Sequence, residues 1–197
     1  MREYSKIMID FVVTRMKGIL LNPVETFRQA KDEKSKAVLA YLAVLVIINS
    51  LFFTISVKYM GSDSGPAALF PGLAGIFITL FFVIVISPFV VAFSIVWLHL
   101  WVYILGGRKG IIQTARAFVY SLTPNILFGW IPYISFIFVI WSIILNVLGI
   151  RELHQISTAR AGVVYLIAFV IPLIFLLFIL LCLISHMNTI PAVAYTP

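Results

Sequence analysis

GLAGIFITLFFVIVISPFVVAFSIVWLHLWVYIL, residues 72 to 105, decides how this chain is folded. Its 34 residues include no Asp, Glu, Lys or Arg. As one helix it is about 51 Å long, well beyond the roughly 30 Å hydrocarbon core of a bilayer. Either it is a single span that tilts, protrudes or bends at Pro88, or it is two short spans meeting near Ser87 and Pro88. The choice places everything that follows on one side of a membrane or the other.

Charge chooses between the two. Eight basic residues precede the first apolar span: Arg2, Lys6, Arg15, Lys17, Arg28, Lys31, Lys34 and Lys36. Arg108 and Lys109 follow the long run, Arg116 opens the next span, and Arg151 and Arg160 lie between the last two. If residues 72–105 cross once, all of these fall on or near one face and only Lys58 falls on the other. That is the positive-inside pattern. Two short spans would put Arg108 and Lys109 outside. The expectation is therefore an all-α polytopic membrane protein with five transmembrane helices, N-terminus in the cytoplasm and C-terminus outside. The spans are 37–57, 72–105, 113–129, 133–150 and 162–184, with an amphipathic cytoplasmic arm over 1–36 and an outer tail over 185–197.

Composition points the same way. The chain is 62% hydrophobic and 11% charged, where a soluble domain carries about 25% charged residues. A net charge of +7 would suggest nucleic acid in a soluble protein. Here its placement at one membrane face accounts for it, and anionic lipid headgroups are the expected partner instead of nucleic acid.

The third span carries the stretch YSLTPNILFGWIP, residues 120–132. Pro124 frees a backbone carbonyl near Tyr120, which is costly where no water reaches. Ser121 and Thr123 are placed to help satisfy it, so this span is expected to be packed inside the protein. GWIP then reads as a tight outer hairpin. Gly129 ends one helix, Pro132 suits the first turn of the next, and Trp130 and Tyr133 sit at headgroup level.

In the arm, Lys6, Asp10, Thr14 and Lys17 share one helical stripe, and Met8, Ile9, Val12, Val13, Met16, Ile19 and Leu20 fill the other side. Asn22-Pro23-Val24-Glu25 reads as a second helix start, with Asn22 as cap and Pro23 at the first position. Val24, Phe27 and Ala30 then line one side. Both helices are expected at the inner membrane surface, as an anchor or as a docking surface for a protein partner.

Catalytic chemistry is not indicated. No acidic residue lies between Asp63 and Glu152. His99, His154 and His186 are expected inside the membrane, in an inner loop and in the outer tail, too far apart for one metal site. No P-loop or H-E-x-x-H is present, and Ser121 has no G-x-S-x-G around it. No catalytic residue, metal or cofactor is expected. His99 reads as a hydrogen-bonded packing histidine, and Asn49, Asn125 and Asn146 as interhelical contacts. Arg108 and Lys109 after Gly106-Gly107 read as a basic turn against headgroups.

Four segments occur in order: LLNPVETF, HLWVYILGGRKG, TARAFVYSLTPNILFGWIP and WSIILNVLGIRELHQISTARA. Together they resemble the Yip1 domain family, over roughly Leu21 to Ile184. The third span of that family often carries Gly-Tyr-x-x-x-Pro. Tyr120 and Pro124 match it, and Val119 stands in the place of the glycine. The resemblance implies a non-enzymatic integral membrane protein. Eukaryotic members have a long cytoplasmic N-terminal region, act in vesicle traffic between ER and Golgi, bind prenylated Rab-type GTPases and associate with each other. An arm of about 36 residues resembles a prokaryotic member instead, which implies the plasma membrane.

The expected function is that of a membrane-organising or adaptor protein, with self-association and a protein partner at the arm as candidate interactions. The alternative is a small transporter, channel or lipid-permeating protein, suggested by the broken third span, Pro88 and the intramembrane Asn and His side chains. The candidate positions are Asn22, Pro23, Phe27, His99, Gly106, Gly107, Arg108, Tyr120, Pro124 and Pro132.

Overall fold

A computed structural model describes residues 2–59 and 73–189, and among these there are eight helices and no strand. They are α1 (Arg2–Leu21), α2 (Pro23–Ala30), α3 (Ser35–Tyr59), α4 (Leu73–Ile104), α5 (Ile111–Ser121), α6 (Thr123–Phe128), α7 (Ser135–His154) and α8 (Thr158–Thr189). Residues 60–72 and most of the expected outer tail lie outside the described residues. Four stretches are long and apolar enough to cross a membrane: Ser35–Ser56, Leu73–Ile104, Ser135–His154 and Thr158–His186. The chain is a polytopic helical membrane protein.

The long run that opened the question is one α-helix, and it continues straight through Pro88. It ends where glycine permits. Gly106 takes φ 99°, a conformation that side chains rarely adopt, and the Gly107 N–H then returns to the Val102 carbonyl at 2.8 Å.

Residues 113–129 take a form other than a continuous span. They divide between α5 and α6, with the interruption at Leu122. The cause is Pro124, which has no N–H to donate and whose ring excludes the carbonyl four residues back. That carbonyl, on Tyr120, accepts a hydrogen bond from Thr123 Oγ1 at 2.7 Å. Thr123 and Pro124 are both buried.

α5 is the central element. It packs most extensively on α7 and also against α4 and α3. Small residues allow the α5–α7 approach: a Cβ on Gly149 would stand 3.0 Å from Ala117 Cβ. The core includes Ala117, Val119 and Tyr120 of α5 with Leu145 and Ile150 of α7, Leu98 and Val102 of α4, and Tyr41 and Leu45 of α3. By contrast, residues 171–186 of α8 are exposed all round, as a helix in contact with acyl chains can be.

The hairpin after α6 is wider than the expected GWIP turn. Gly129 stays right-handed at φ −68°, and the positive φ falls on Tyr133 at 66°. α7 starts only at Ser135, so Pro132 sits in the turn, where its carbonyl accepts the Ile134 N–H at 2.8 Å, and not in the first helical turn. A Cβ on Gly129 would fall 2.3 Å from the Asn125 carbonyl oxygen, so close approach is what requires glycine there. Trp130 stacks on Phe52 of α3 at 5.1 Å.

Candidate functional site

The arm is not loosely laid beside the bundle. α2 begins with Pro23 at its first position, and the Asn22 side chain makes no capping bond. Instead the Asn22 carbonyl accepts Thr26 Oγ1 at 2.8 Å and the Thr26 N–H at 3.1 Å. This short helix buries Thr26, Phe27 and Ala30, with Thr26 lying on Gly18 of α1 and Phe27 on α7. Phe27 is completely buried, and its ring lies where a Cβ on Gly149 would come within 2.9 Å. Gly149 is thus the notch that seats Phe27. At the edge of this contact Arg28 Nε donates to Glu152 at 2.9 Å.

Beside the notch is a cluster of charged groups. Arg15 of α1 pairs with Glu33, both side chains being about seven-eighths buried, and also donates to the Thr26 carbonyl at 3.0 Å. Burial pushes the Arg15 pKa down from its ordinary value, and the nearby Tyr120 and Tyr41 oppose that shift. The other Glu33 carboxylate oxygen accepts the Tyr120 hydroxyl. Tyr120 meets Tyr41 edge-on at 4.9 Å, and the Tyr41 hydroxyl is bonded to Thr123 Oγ1 at 2.7 Å. Two hydrogen-bonded links, Glu33 to Tyr120 and Tyr41 to Thr123, joined by the edge-on contact of the tyrosine rings, therefore run from the arm to the helix break at Pro124.

Arg116 completes the cluster from α5. It is buried and donates to the carbonyls of Lys31, at 3.0 Å, and Glu33, while Gln113 donates to the Lys31 carbonyl at 3.0 Å. These are the carbonyls at and just past the C-terminal end of α2, where orphan acceptors and the negative end of the helix dipole favour a cation.

A third contact set ties α4, α5 and α7. His99 Nδ1 and His154 Nε2 both reach Thr114 Oγ1, at 2.8 and 2.9 Å. The histidine rings are 6.2 Å apart. Sequence placed these two in different surroundings, and the fold brings them together. Gly107 abuts this site: a Cβ there would meet Val102 Cγ1 at 2.4 Å and His154 Nδ1 at 3.1 Å. Arg108 lies over the Tyr103 ring, 3.8 Å from its centroid. Among the described residues no group of three or more His, Cys, Asp or Glu is arranged to hold a metal ion.

Of the ten candidate positions, Phe27 and Tyr120 meet the charged cluster, with Asn22 and Pro23 opening the helix that carries Phe27. His99 and Gly107 meet around Thr114 and His154, with Gly106 and Arg108 in the turn beside them. Pro124 lies at the far end of the tyrosine chain, and Pro132 stands apart in the hairpin beyond α6. Sequence reasoning missed Arg15, Glu33 and Arg116 as one unit. A signal was present in Arg116, since a cation inside an apolar segment needs a partner.

The profile of one protein family, the Yip1 domain, matches residues 17–181, most of the chain. No characterised protein and no solved structure shows a match.

Proposed function

The chain belongs to the Yip1 domain family, and on that premise we propose that it is a non-enzymatic membrane-organising or adaptor protein. The bundle crosses the membrane five times, with α5 and α6 together forming an interrupted third pass. The arm lies on the cytoplasmic side, where the basic residues gather, in the plasma membrane of a prokaryote. One observation carries the reading. The arm is fixed to the bundle through Phe27, Arg28 and Glu33, yet its outer side leaves Lys6, Ile9, Asp10, Val13 and Lys17 exposed. A rigidly held, mixed basic and apolar face suits a membrane surface or a protein partner, with little ordering entropy to lose on contact.

Site-specific photo-crosslinking in native membranes tests this. Crosslinkers at Ile9 or Val13 should yield adducts to one defined partner or to anionic lipid, and Phe27→Ala combined with Glu33→Gln, which removes the seated ring and the carboxylate together, should abolish them. Adduct formation that the double variant leaves unchanged would refute a role for the fixed arm. A crosslinker at Phe27 should report only α7.

A second reading, a small transporter, channel or lipid-permeating protein, is favoured by the helix break at Pro124 and the cavity beside it. Solute and lipid flux in proteoliposomes, with Pro124→Ala and His99→Ala as controls, tests it. Flux equal to that of empty vesicles would remove it.

A further inference from the structure

Between α3, α4 and α6 the bundle leaves a cavity of 410 Å³. A second, of 290 Å³, adjoins it, and Asn49, Phe53, Asn125 and Ile126 belong to both walls. Small-molecule sites typically occupy about 300–1,000 Å³. The larger cavity follows α3 from Leu42 to Phe53, about 16 Å of helix. It exists because the third pass is broken: Leu122, Asn125 and Ile126, around the interruption, form one wall. Val46 and Thr79 are buried in its floor, whereas Phe53, Phe82 and Val90 at its rim are exposed. The cavity therefore opens sideways, toward the hydrocarbon.

The polar groups of this site indicate what fits. Thr79 is 2% exposed, and its hydroxyl has no hydrogen-bond partner among the described residues. Hydroxyls in apolar helices ordinarily bond back to the preceding turn. Thr54 does so to the Ser50 carbonyl at 2.7 Å, and Ser94 to the Val90 carbonyl at 2.8 Å. Thr79 forgoes that bond and lines the cavity instead. Asn49 and Asn125 stand at the junction of the two cavities, and the smaller one is bounded by Ser56 and the exposed Trp130. Apolar walls, a few hydrogen-bond donors and an aromatic residue at the mouth match an amphiphile with a long tail and a polar waist.

We infer that this cavity binds one membrane glycerolipid. One acyl chain lies in the larger cavity against Val46 and Val83. The ester carbonyls accept hydrogen bonds from Thr79, Asn49 and Asn125, and the headgroup leaves past Ser56 and Trp130. This site is separate from the arm, and its failure would leave the adaptor reading untouched.

The test uses the full-length protein in phosphatidylglycerol/phosphatidylethanolamine vesicles doped with a phosphatidylcholine bearing a photoactivatable acyl chain. Peptides carrying Val83 and Asn125 should be labelled at least tenfold more than the peptide carrying Leu176 on the exposed half of α8, a ratio equivalent to about 1.4 kcal/mol. Val46→Trp, which fills the cavity, should bring that labelling down to the Leu176 level without changing Leu176 itself or the thermal transition. Thr79→Val, close in shape, should lower it severalfold.

Four results would overturn the inference. One is labelling in the cavity no greater than at Leu176. Another is cavity labelling that persists in folded Val46→Trp. The third is Thr79→Val leaving labelling unchanged while raising thermal stability, since the hydroxyl would then have no ligand to serve. The last is protein–protein adducts formed by a crosslinker at Asn125, which would put a second copy of the chain there.

Discussion

At the arm end of the bundle, Arg15, Glu33, Tyr120 and Arg116 are largely buried and bond to one another and to the end of α2. Around the cavity between α3, α4 and α6, the Thr79 hydroxyl is equally buried and is satisfied by nothing among the described residues. A membrane protein can place polar groups in an apolar interior in either way, at different cost. Paired groups hold elements in one arrangement, and removing one partner strands the other. An unpaired group contributes nothing to the bundle by itself and is useful only when something else arrives. The contrast therefore separates a part of the molecule that fixes geometry from a part that receives a ligand.

The largest effects test the paired end. Glu33→Gln leaves the Arg15 guanidinium without its counter-charge and should cost about 3–5 kcal/mol, read as a fall in the thermal transition in mild detergent. A loss under about 1 kcal/mol, the ordinary size for a solvated surface pair, would erase the distinction between the two regions. Phe27→Ala empties the notch at Gly149 and should cost a similar amount, about 3–5 kcal/mol. Gly149→Val should cost about 1–3 kcal/mol by overpacking, and less when Phe27→Ala is already present, because the ring it strikes has gone. Strict additivity in that double variant would show that the two residues do not meet. Tyr41→Phe removes one hydroxyl from the chain leading to Thr123 and should cost about 1 kcal/mol. The smallest effect has the opposite sign. In delipidated detergent, Thr79→Val should be neutral or stabilising by up to about 1 kcal/mol, since an unsatisfied buried hydroxyl is lost. A clear destabilisation would mean that Thr79 has a protein partner and that the comparison is false.

How much of this was legible in the sequence follows from the range of each interaction. The start of α2 at Pro23 and the satisfaction of the Tyr120 carbonyl by Thr123 depend on residues within a few positions of one another, and the sequence displays both. That one helix, Leu73–Ile104, fills the long apolar run was legible because Pro88 alone need not end a helix among apolar neighbours. The widened hairpin was not, since whether Gly129 or Tyr133 takes the positive φ depends on how Trp130 and Asn125 pack. Nor was the charged cluster. Glu33 lies 18 residues from Arg15 and 87 from Tyr120, and in a Lys-rich segment it passes for surface charge. Phe27 was visible as part of an apolar face, but nothing near it in sequence names Gly149 as its seat. His99 and His154 were assigned to different depths by span counting, and only the packing of α4 and α7 on α5 brings both to Thr114.

The seating of the arm has a consequence in time. Arg28 is made 124 residues before the Glu152 it pairs with, and Phe27 is made correspondingly early relative to Gly149. At about 5–20 residues per second, a ribosome spends roughly 6–25 s between them. Throughout that interval the seat of the arm does not yet exist, and for the later part of it the arm has left the ribosome. Under the proposed arrangement its basic, amphipathic helices then have the membrane surface to occupy, where anionic headgroups would attract them. Docking onto α7 is accordingly a late, signal-like event: it can happen only after the following passes are in place. Chains arrested before residue 135 should leave a cysteine placed at Phe27 open to labelling by a water-soluble maleimide, and chains arrested after α8 has emerged should protect it.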